Sequence, residues 1–202
     1  MKYNIKKNEK RNTLSVVVSP VVFNFTRYLY EKFNDEKYFA TGVLDKQDYN
    51  QDILPFVKDL VSQLNSIATK VLPPNEQYNI QDVITLNEQE YRLLSKNTDR
   101  DGVWDKQFKI NLSSKTKNPN KNFMFGSLDD TNVLTEDESK QHKYGVEVEI
   151  GVGYNEDTLE KYIYTVFHRA ISIGKREQSE STYKQNNDAW SGFNFDIEDS
   201  PF

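Results

Sequence analysis

The sequence predicts a mainly β fold with one helical insertion. Residues 108–112 and 146–150 alternate apolar and polar side chains, which is typical of strands that are buried on one face. Residues 162–173 form a longer run of aromatic and β-branched side chains, which also favours a strand. Residues 52–71 instead place apolar side chains at helical spacing. Strands that surround a single helix predict a sheet-based domain and not a helical bundle.

Two further strands complete the predicted β structure. Residues 14–18 are a β-branched run that we expect to end at Ser19 and Pro20, and residues 38–44 form a second run that ends before Asp45. Five strands with one helix favour a small barrel, and the five-stranded OB-fold is the natural candidate. Such a barrel leaves one face and several loops able to hold single-stranded nucleic acid.

The helical insertion has recognisable ends. Asp52 is the predicted N-cap and Pro55 falls in the first turn, where a missing backbone N–H does no harm. Pro73 and Pro74 stop the helix. A second, short helix is predicted over residues 86–94.

Composition predicts one folded domain with appendages. The chain has 202 residues, of which 36% are hydrophobic, and it has no cysteine, which excludes disulfides and thiolate metal sites. We predict a flexible N-terminus at residues 1–12, an OB-fold-like domain at residues 13–176 and a disordered acidic tail at residues 177–202. The absence of cysteine suits a reducing interior, and no apolar run is long enough to span a membrane. We therefore expect a cytoplasmic protein with no membrane partner.

Charge is distributed unevenly along the chain. The net charge is -5, and residues 177–202 alone hold six acidic residues and one lysine, so the preceding body is neutral overall. Within that body, residues 96–121 hold seven basic and three acidic residues, and residues 1–11 hold five basic residues and one acidic residue. Basic patches beside an acidic tail predict a protein that binds a polyanion and regulates this binding with its tail.

Catalytic motifs are weak. His142 and His168 stand 26 positions apart without metal-ligand spacing, and no phosphate-binding loop or nucleophile elbow occurs. Asp99 and Asp101 flank Arg100, and paired acids of this kind bind Mg²⁺ in nucleases. A turn explains the same residues more simply, because aspartate and glycine accept unusual backbone angles. We therefore predict that the chain is not an enzyme and needs no cofactor or metal.

A basic and aromatic stretch from Trp104 to Phe125 is the stronger functional signal. Binding of a single strand requires cations that follow the phosphates and flat rings on which bases stack. The alternative is that Phe108, Phe123 and Phe125 are core residues and the lysines are solvated. A weaker repeat of the pattern occurs at residues 37–39. The candidate DNA-binding residues are Lys37, Tyr38, Phe39, Arg100, Trp104, Lys106, Phe108, Lys109, Lys115, Lys117, Lys121, Phe123 and Phe125.

The end of the sequence carries a more specific pattern. Acidic residues, one aliphatic residue and a terminal proline and phenylalanine follow one another in residues 196–202. This pattern resembles the C-terminal tip of bacterial single-stranded DNA-binding proteins. The resemblance implies a tip that docks partner proteins, formed by Asp196, Ile197, Glu198, Asp199, Pro201 and Phe202.

The body of the chain resembles a related group. The order of its predicted elements is similar to that of bacteriophage single-stranded DNA-binding proteins, which have an OB-fold and an acidic tail ending in phenylalanine. The segments that carry this similarity are residues 37–44, 101–102, 108–115, 144–148 and 167–174.

The resemblance implies a sequence-nonspecific single-stranded DNA-binding protein that acts in viral DNA replication, recombination and repair in the host cytoplasm. Its tail would compete with DNA and recruit replication proteins such as a polymerase, a helicase-primase or a recombinase. A homodimer that exchanges tails is compatible with this function. The alternative function is a protein-interaction adaptor that does not bind nucleic acid.

Overall fold

The computed structural model describes residues 1–34, 36–86, 92–96, 107–115, 122–128 and 131–176. Strands dominate the described residues, which confirms the predicted mainly β class. In chain order the strands are β1 (Lys2–Asn8), β2 (Thr13–Val22), β3 (Tyr38–Leu44), β4 (Ile84–Thr85), β5 (Leu94–Lys96), β6 (Phe108–Ser114), β7 (Met124–Phe125), β8 (His142–Asn155) and β9 (Glu160–Lys175).

Five of these strands curl into an open barrel with the strand order of an OB-fold. The hydrogen-bonded order is β6-β3-β2-β8-β9. The two ends of this series come together, since the Ser113 backbone N–H on β6 donates to Thr165 Oγ1 on β9 at 3.2 Å. Within the described residues, β6 and β9 do not pair as strands, so the barrel stays open between them. This opening is where the candidate site lies.

The longest hairpin consists of β8 and β9. The two strands pair from His142 with Lys175 to Asn155 with Glu160. The inward side chains of β8 are the apolar members of its alternating pattern, and Val146, Val148 and Ile150 are buried in the core. Glu147 and Glu149 alternate with them on the other face of the strand, where they are also buried, at 3% and 7% exposed. The alternation that predicted this strand therefore sets which side chains enter the apolar core.

The N-terminal segment was predicted to be flexible, and this prediction is wrong. Residues 2–8 form β1, which pairs with β2 in antiparallel register from Lys2 with Ser19 to Asn8 with Thr13. The Met1 amino group lies 2.6 Å from a carboxylate oxygen of Asp52. Tyr3 packs its ring on Phe56 with centroids 5.0 Å apart. A polar strand is ordered here because its neighbours supply the hydrogen bonds and the apolar contacts.

The helices are short except for one. Helix α2 (Leu54–Ala68) buries the side chains that its spacing predicts, including Phe56, Leu60 and Leu64, and Pro55 lies in its first turn as expected. A π-helical turn (Tyr49–Ile53) precedes it, and Asp48, not Asp52, caps that turn through the N–H groups of Asn50 and Gln51. The helices are α1 (Arg27–Tyr30), α2 (Leu54–Ala68), α3 (Ile80–Val83) and α4 (Glu136–Ser139).

The predicted short helix over residues 86–94 is wrong at both of its ends. Leu86 is an exposed bend after β4, and Leu94 begins β5. Residues 87–91 lie outside the described residues. The helical turn in this region is α3, whose N-terminus is fixed by a capping box between Asn79 and Asp82.

Candidate nucleic-acid interface

A groove of about 680 Å³ runs along the opening between β6 and β9. One wall comes from β3 and the segment before it, and the opposite wall comes from the start of β9. The floor includes the middle of β6. The lining includes Phe33, Lys37, Phe39, Arg92, Lys161, Tyr162 and Tyr164.

Four neighbouring rings form an aromatic cluster at one side of the groove. They are Phe25, Tyr28, Phe33 and Phe39, and successive ring centroids lie 4.9 to 5.4 Å apart. Phe25 is 53% exposed and Phe33 is 36% exposed, so half of the cluster faces solvent. Exposed phenylalanine is unfavourable in water, and a contiguous group of such rings usually marks a binding surface.

A tyrosine pair, Tyr162 and Tyr164, forms the opposite side. Both side chains lie on one face of β9, and they are 51% and 42% exposed. Their rings lie over Gly153 and Gly151, the register partners on β8. A Cβ atom at either glycine would collide with the ring above it. The glycines therefore allow each ring to lie flat on one strand with its other face open.

Gly151 and Gly153 do not disturb the hairpin. The pairing of β8 with β9 runs without a register shift from Val148 to Asn155. The glycines interrupt nothing. Their role is to make room for the rings of the tyrosine pair.

A buried tyrosine anchors this wall. The Tyr78 hydroxyl donates to the backbone oxygens of Gly153 at 3.2 Å and of Tyr162 at 3.0 Å. Burial raises the pKa of Tyr78 to about 12, so the hydroxyl keeps its proton at neutral pH. Because Tyr78 touches both strands beside the rings, it holds the tyrosine pair in a fixed position.

Three cationic residues of the described part of the chain line the groove. Lys37 and Arg92 are both exposed. Lys161 is held in place, with its Nζ 2.8 Å from Asp82 Oδ2 and 2.5 Å from the Gln77 backbone oxygen. The same ammonium lies 5.6 Å from the ring centroid of Tyr78. The groove thus combines exposed rings with positive charge.

The floor of the groove is polar. Asn111 donates to the backbone oxygen of Arg92 at 2.7 Å and lies 3.3 Å from the Thr41 hydroxyl. The hydroxyls of Ser113 and Thr165 lie 3.4 Å apart, across the opening between β6 and β9. Hydroxyl and amide groups of this kind can donate to or accept from the edge of a base.

The predicted DNA-binding residues do not share one surface. Lys37 and Phe39 line the groove. Lys109 lies on β6 and is half-buried, and Lys115 lies just after β6 and is exposed. Neither lysine lines the groove. Tyr38 points the other way and packs on Phe123 with centroids 5.4 Å apart.

Three predicted stacking rings are core residues instead. Phe108, Phe123 and Phe125 are 5%, 1% and 0% exposed. Phe123 stacks on Phe167 with centroids 5.1 Å apart. Their assignment to DNA binding is therefore corrected, because a ring enclosed on both faces offers no surface to a base. The alternative that the sequence left open for them, a place in the core, is what the structure shows.

Several predicted residues lie outside the described ranges. These are Arg100, Trp104, Lys106, Lys117 and Lys121 of the basic stretch, and Asp196, Ile197, Glu198, Asp199, Pro201 and Phe202 of the tail.

Sequence reasoning missed the tyrosine pair, Phe33 and Lys161. Tyr162 and Tyr164 stand in a long apolar run that looks like a buried strand. The available signal was a pair of matching patterns in the two strands of a hairpin. One strand has two glycines separated by one residue, and the other has two tyrosines separated by one residue. Such a pattern places two rings on one face with open backbone beneath them.

Metal binding finds no support in the described ranges. No group of three histidine, aspartate or glutamate side chains is placed there to hold an ion. Asp99 and Asp101, the predicted alternative for Mg²⁺, lie outside those ranges. Among the described helices, none combines the length and apolar character needed to cross a membrane.

The fold has neighbours among solved structures. The chain is similar to the single-stranded DNA-binding protein from bacteriophage Enc34, at 12% identity and a TM-score of 0.49, over 91% of this chain and 97% of that chain. The chain is also similar to the C-terminally truncated form of that protein, at 13% identity and a TM-score of 0.48, over 90% of this chain and 98% of that chain. The structure of that protein in complex with single-stranded DNA is similar at 13% identity and a TM-score of 0.49, over 89% of this chain and 98% of that chain.

These neighbours belong to the group that the sequence resembles, the bacteriophage single-stranded DNA-binding proteins. No family model matches the sequence, and no curated protein sequence matches it.

Proposed function

We propose that the chain binds single-stranded DNA without sequence preference, in the groove between β6 and β9. The observation that carries the proposal is the placement of exposed rings on both sides of one groove, with three cations around it. Phe33 and Phe39 form one side, and Tyr162 and Tyr164 form the other. Each base that stacks on such a ring contributes about 1 to 3 kcal/mol of binding free energy.

The geometry favours a single strand over a duplex. In a duplex the bases already stack on one another, and their faces are not available to protein rings. A single strand can turn its bases toward the two walls while its phosphates meet Lys37, Arg92 and Lys161. Every base has a flat face, so stacking on these rings discriminates little between sequences.

Titration of a labelled oligo-dT by fluorescence anisotropy tests the proposal. We expect binding at low salt that weakens as salt rises, because each phosphate contact releases counterions. Three groove cations predict a slope of log K against log salt of about -2. A duplex of the same length should compete poorly. Absence of oligo-dT binding at low salt would contradict the proposal and leave the protein-interaction adaptor as the better function.

We further propose that the acidic tail competes with DNA for the basic surface. Its support is the charge distribution, since residues 177–202 hold six acidic residues and one lysine while the body is neutral. Neutralising the tip in the full chain with Asp196→Asn, Glu198→Gln and Asp199→Asn should therefore tighten oligo-dT binding at low salt. The gain should vanish at high salt, where the competition is screened. Equal affinity of the variant and the wild type at low salt would rule out this competition.

The remaining implications of the resemblance stay predictions. They comprise recruitment of replication proteins through Phe202, roles in viral DNA replication, recombination and repair, and a homodimer. A pull-down from infected cells with wild-type and Phe202→Ala baits would test the first, because loss of the ring should remove the recruited proteins. Recovery of the same proteins by both baits would argue against docking through Phe202.

A further inference from the structure

The outer face of strands β1, β2, β8 and β9 continues from the groove. Register partners on adjacent strands point to the same face of a sheet. One row across the four strands consists of Lys6, Ser15, Glu149 and Val166. Tyr164 and Tyr162 lie two and four residues from Val166 along β9, without an intervening bulge, so they share this face. The tyrosine pair therefore borders both the groove and a second surface that ends at β1.

Glu147 and Glu149, the carboxylates on this face of β8, are both paired. Glu147 accepts two hydrogen bonds from the Arg169 guanidinium, at 2.6 and 3.1 Å. Glu149 Oε2 lies 3.0 Å from Arg11 Nη1 and 3.3 Å from His168 Nε2. Its other oxygen accepts from the Thr13 hydroxyl at 2.9 Å. Neither carboxylate is therefore left to repel a phosphate.

Glu149 also positions two nitrogen-bearing side chains at the surface. Its own side chain is only 9% exposed, whereas Arg11 is 65% exposed and His168 is 38% exposed. Both side chains contact the same Glu149 oxygen, and the Arg11 guanidinium has further N–H groups that this contact does not use. A buried anion that orders two exposed nitrogen donors is a suitable base for contacts with phosphate.

The far end of the surface carries lysines without partners. Lys2 and Lys6 are exposed, and the register places both on the outer face of β1. Within the part of the chain that the structure describes, neither forms an ion pair. Lys7 differs, because it lies on the opposite face and pairs with Glu9 at 3.3 Å.

The spacing suits a nucleic-acid strand that is longer than the groove. Adjacent strands lie about 4.8 Å apart, so Lys6 on β1 is about 14 Å from Val166 on β9, three strand spacings away. We propose, building on the proposed function, that such a strand leaves the groove past Tyr164 and crosses this surface to β1. Arg11 and His168 contact its phosphates midway, and Lys2 and Lys6 contact them at the end.

A charge-neutral double variant tests the path. The variant carries Lys2→Gln and Lys6→Gln in the full chain. Its affinity and that of the wild type are measured for oligo-dT of about 5 and about 16 nucleotides, which are close to the shortest and longest usual site sizes. We expect unchanged affinity for the short oligonucleotide and several-fold weaker binding of the long one. The salt slope for the long oligonucleotide should become less negative by about 1.4, because two phosphate contacts are lost.

Lys7→Gln is the control for position, since it removes one positive charge from the other face of the same strand, whereas the double variant removes two from the outer face. It should leave both affinities unchanged. An equal effect of Lys7→Gln, an equal loss on both oligonucleotides, or no loss on the long one would overturn the proposed path while leaving the groove intact. If the wild type binds neither oligonucleotide, the proposed function fails and this path fails with it.

Discussion

An alanine variant of both Tyr162 and Tyr164 is expected to bind oligo-dT about 30-fold more weakly than the wild type, or worse. Each ring is about half exposed and lies flat on a glycine of the neighbouring strand, so each offers one face to a base. At the lower limit of about 1 kcal/mol per stacked base, loss of two rings removes about 2 kcal/mol. Fluorescence anisotropy of labelled oligo-dT measures the change.

The matched control replaces both tyrosines with phenylalanine. This variant keeps the rings and removes only the hydroxyls, so its affinity should stay close to that of the wild type. Thermal melting should show that all three proteins are folded. Wild-type affinity in a folded alanine variant would show that the tyrosine pair is not a stacking surface.

A Phe123→Ala variant is expected to lose about 3 to 5 kcal/mol of unfolding free energy, as is usual when a buried phenylalanine is truncated. The side chain is 1% exposed and lies between Tyr38 and Phe167, with ring centroids 5.4 and 5.1 Å away. Its removal leaves a cavity inside the barrel. Urea denaturation followed by circular dichroism measures the loss.

Phe33→Ala serves as the comparison, because Phe33 is 36% exposed in the aromatic cluster and contributes less to the core. It should lower oligo-dT affinity with a much smaller effect on stability. If Phe123→Ala were as stable as the wild type and yet failed to bind oligo-dT, the assignment of Phe123 to the core would be wrong.

Strand positions could be predicted from the sequence because alternation is a local signal. Residues 38–44 coincide with β3, and residues 108–112 fall within β6. The N-terminal strand β1 could not be predicted in this way. Its lysines and asparagines resemble a solvated segment, and its order depends on pairing with β2 and on the contact of Tyr3 with α2.

The candidate site was harder to predict because it depends on which face each ring occupies. Phe39 and Tyr38 are neighbours in sequence, yet Phe39 lines the groove and Tyr38 packs inward on Phe123. Phe123 and Phe125 stand among lysines in sequence and are buried because β7 pairs with β9. Long-range pairing therefore decides between core and binding surface, and composition alone does not contain that information.

The central claim is that a single strand lies in the groove between β6 and β9. Ultraviolet crosslinking of the wild-type chain to a short oligo-dT of about 5 nucleotides, followed by mass spectrometry of the linked peptides, tests it most directly. We predict crosslinks on Tyr162 or Tyr164 and on Phe33 or Phe39, which would place the oligonucleotide between the two walls. Crosslinks found only on peptides outside these walls would contradict the claim.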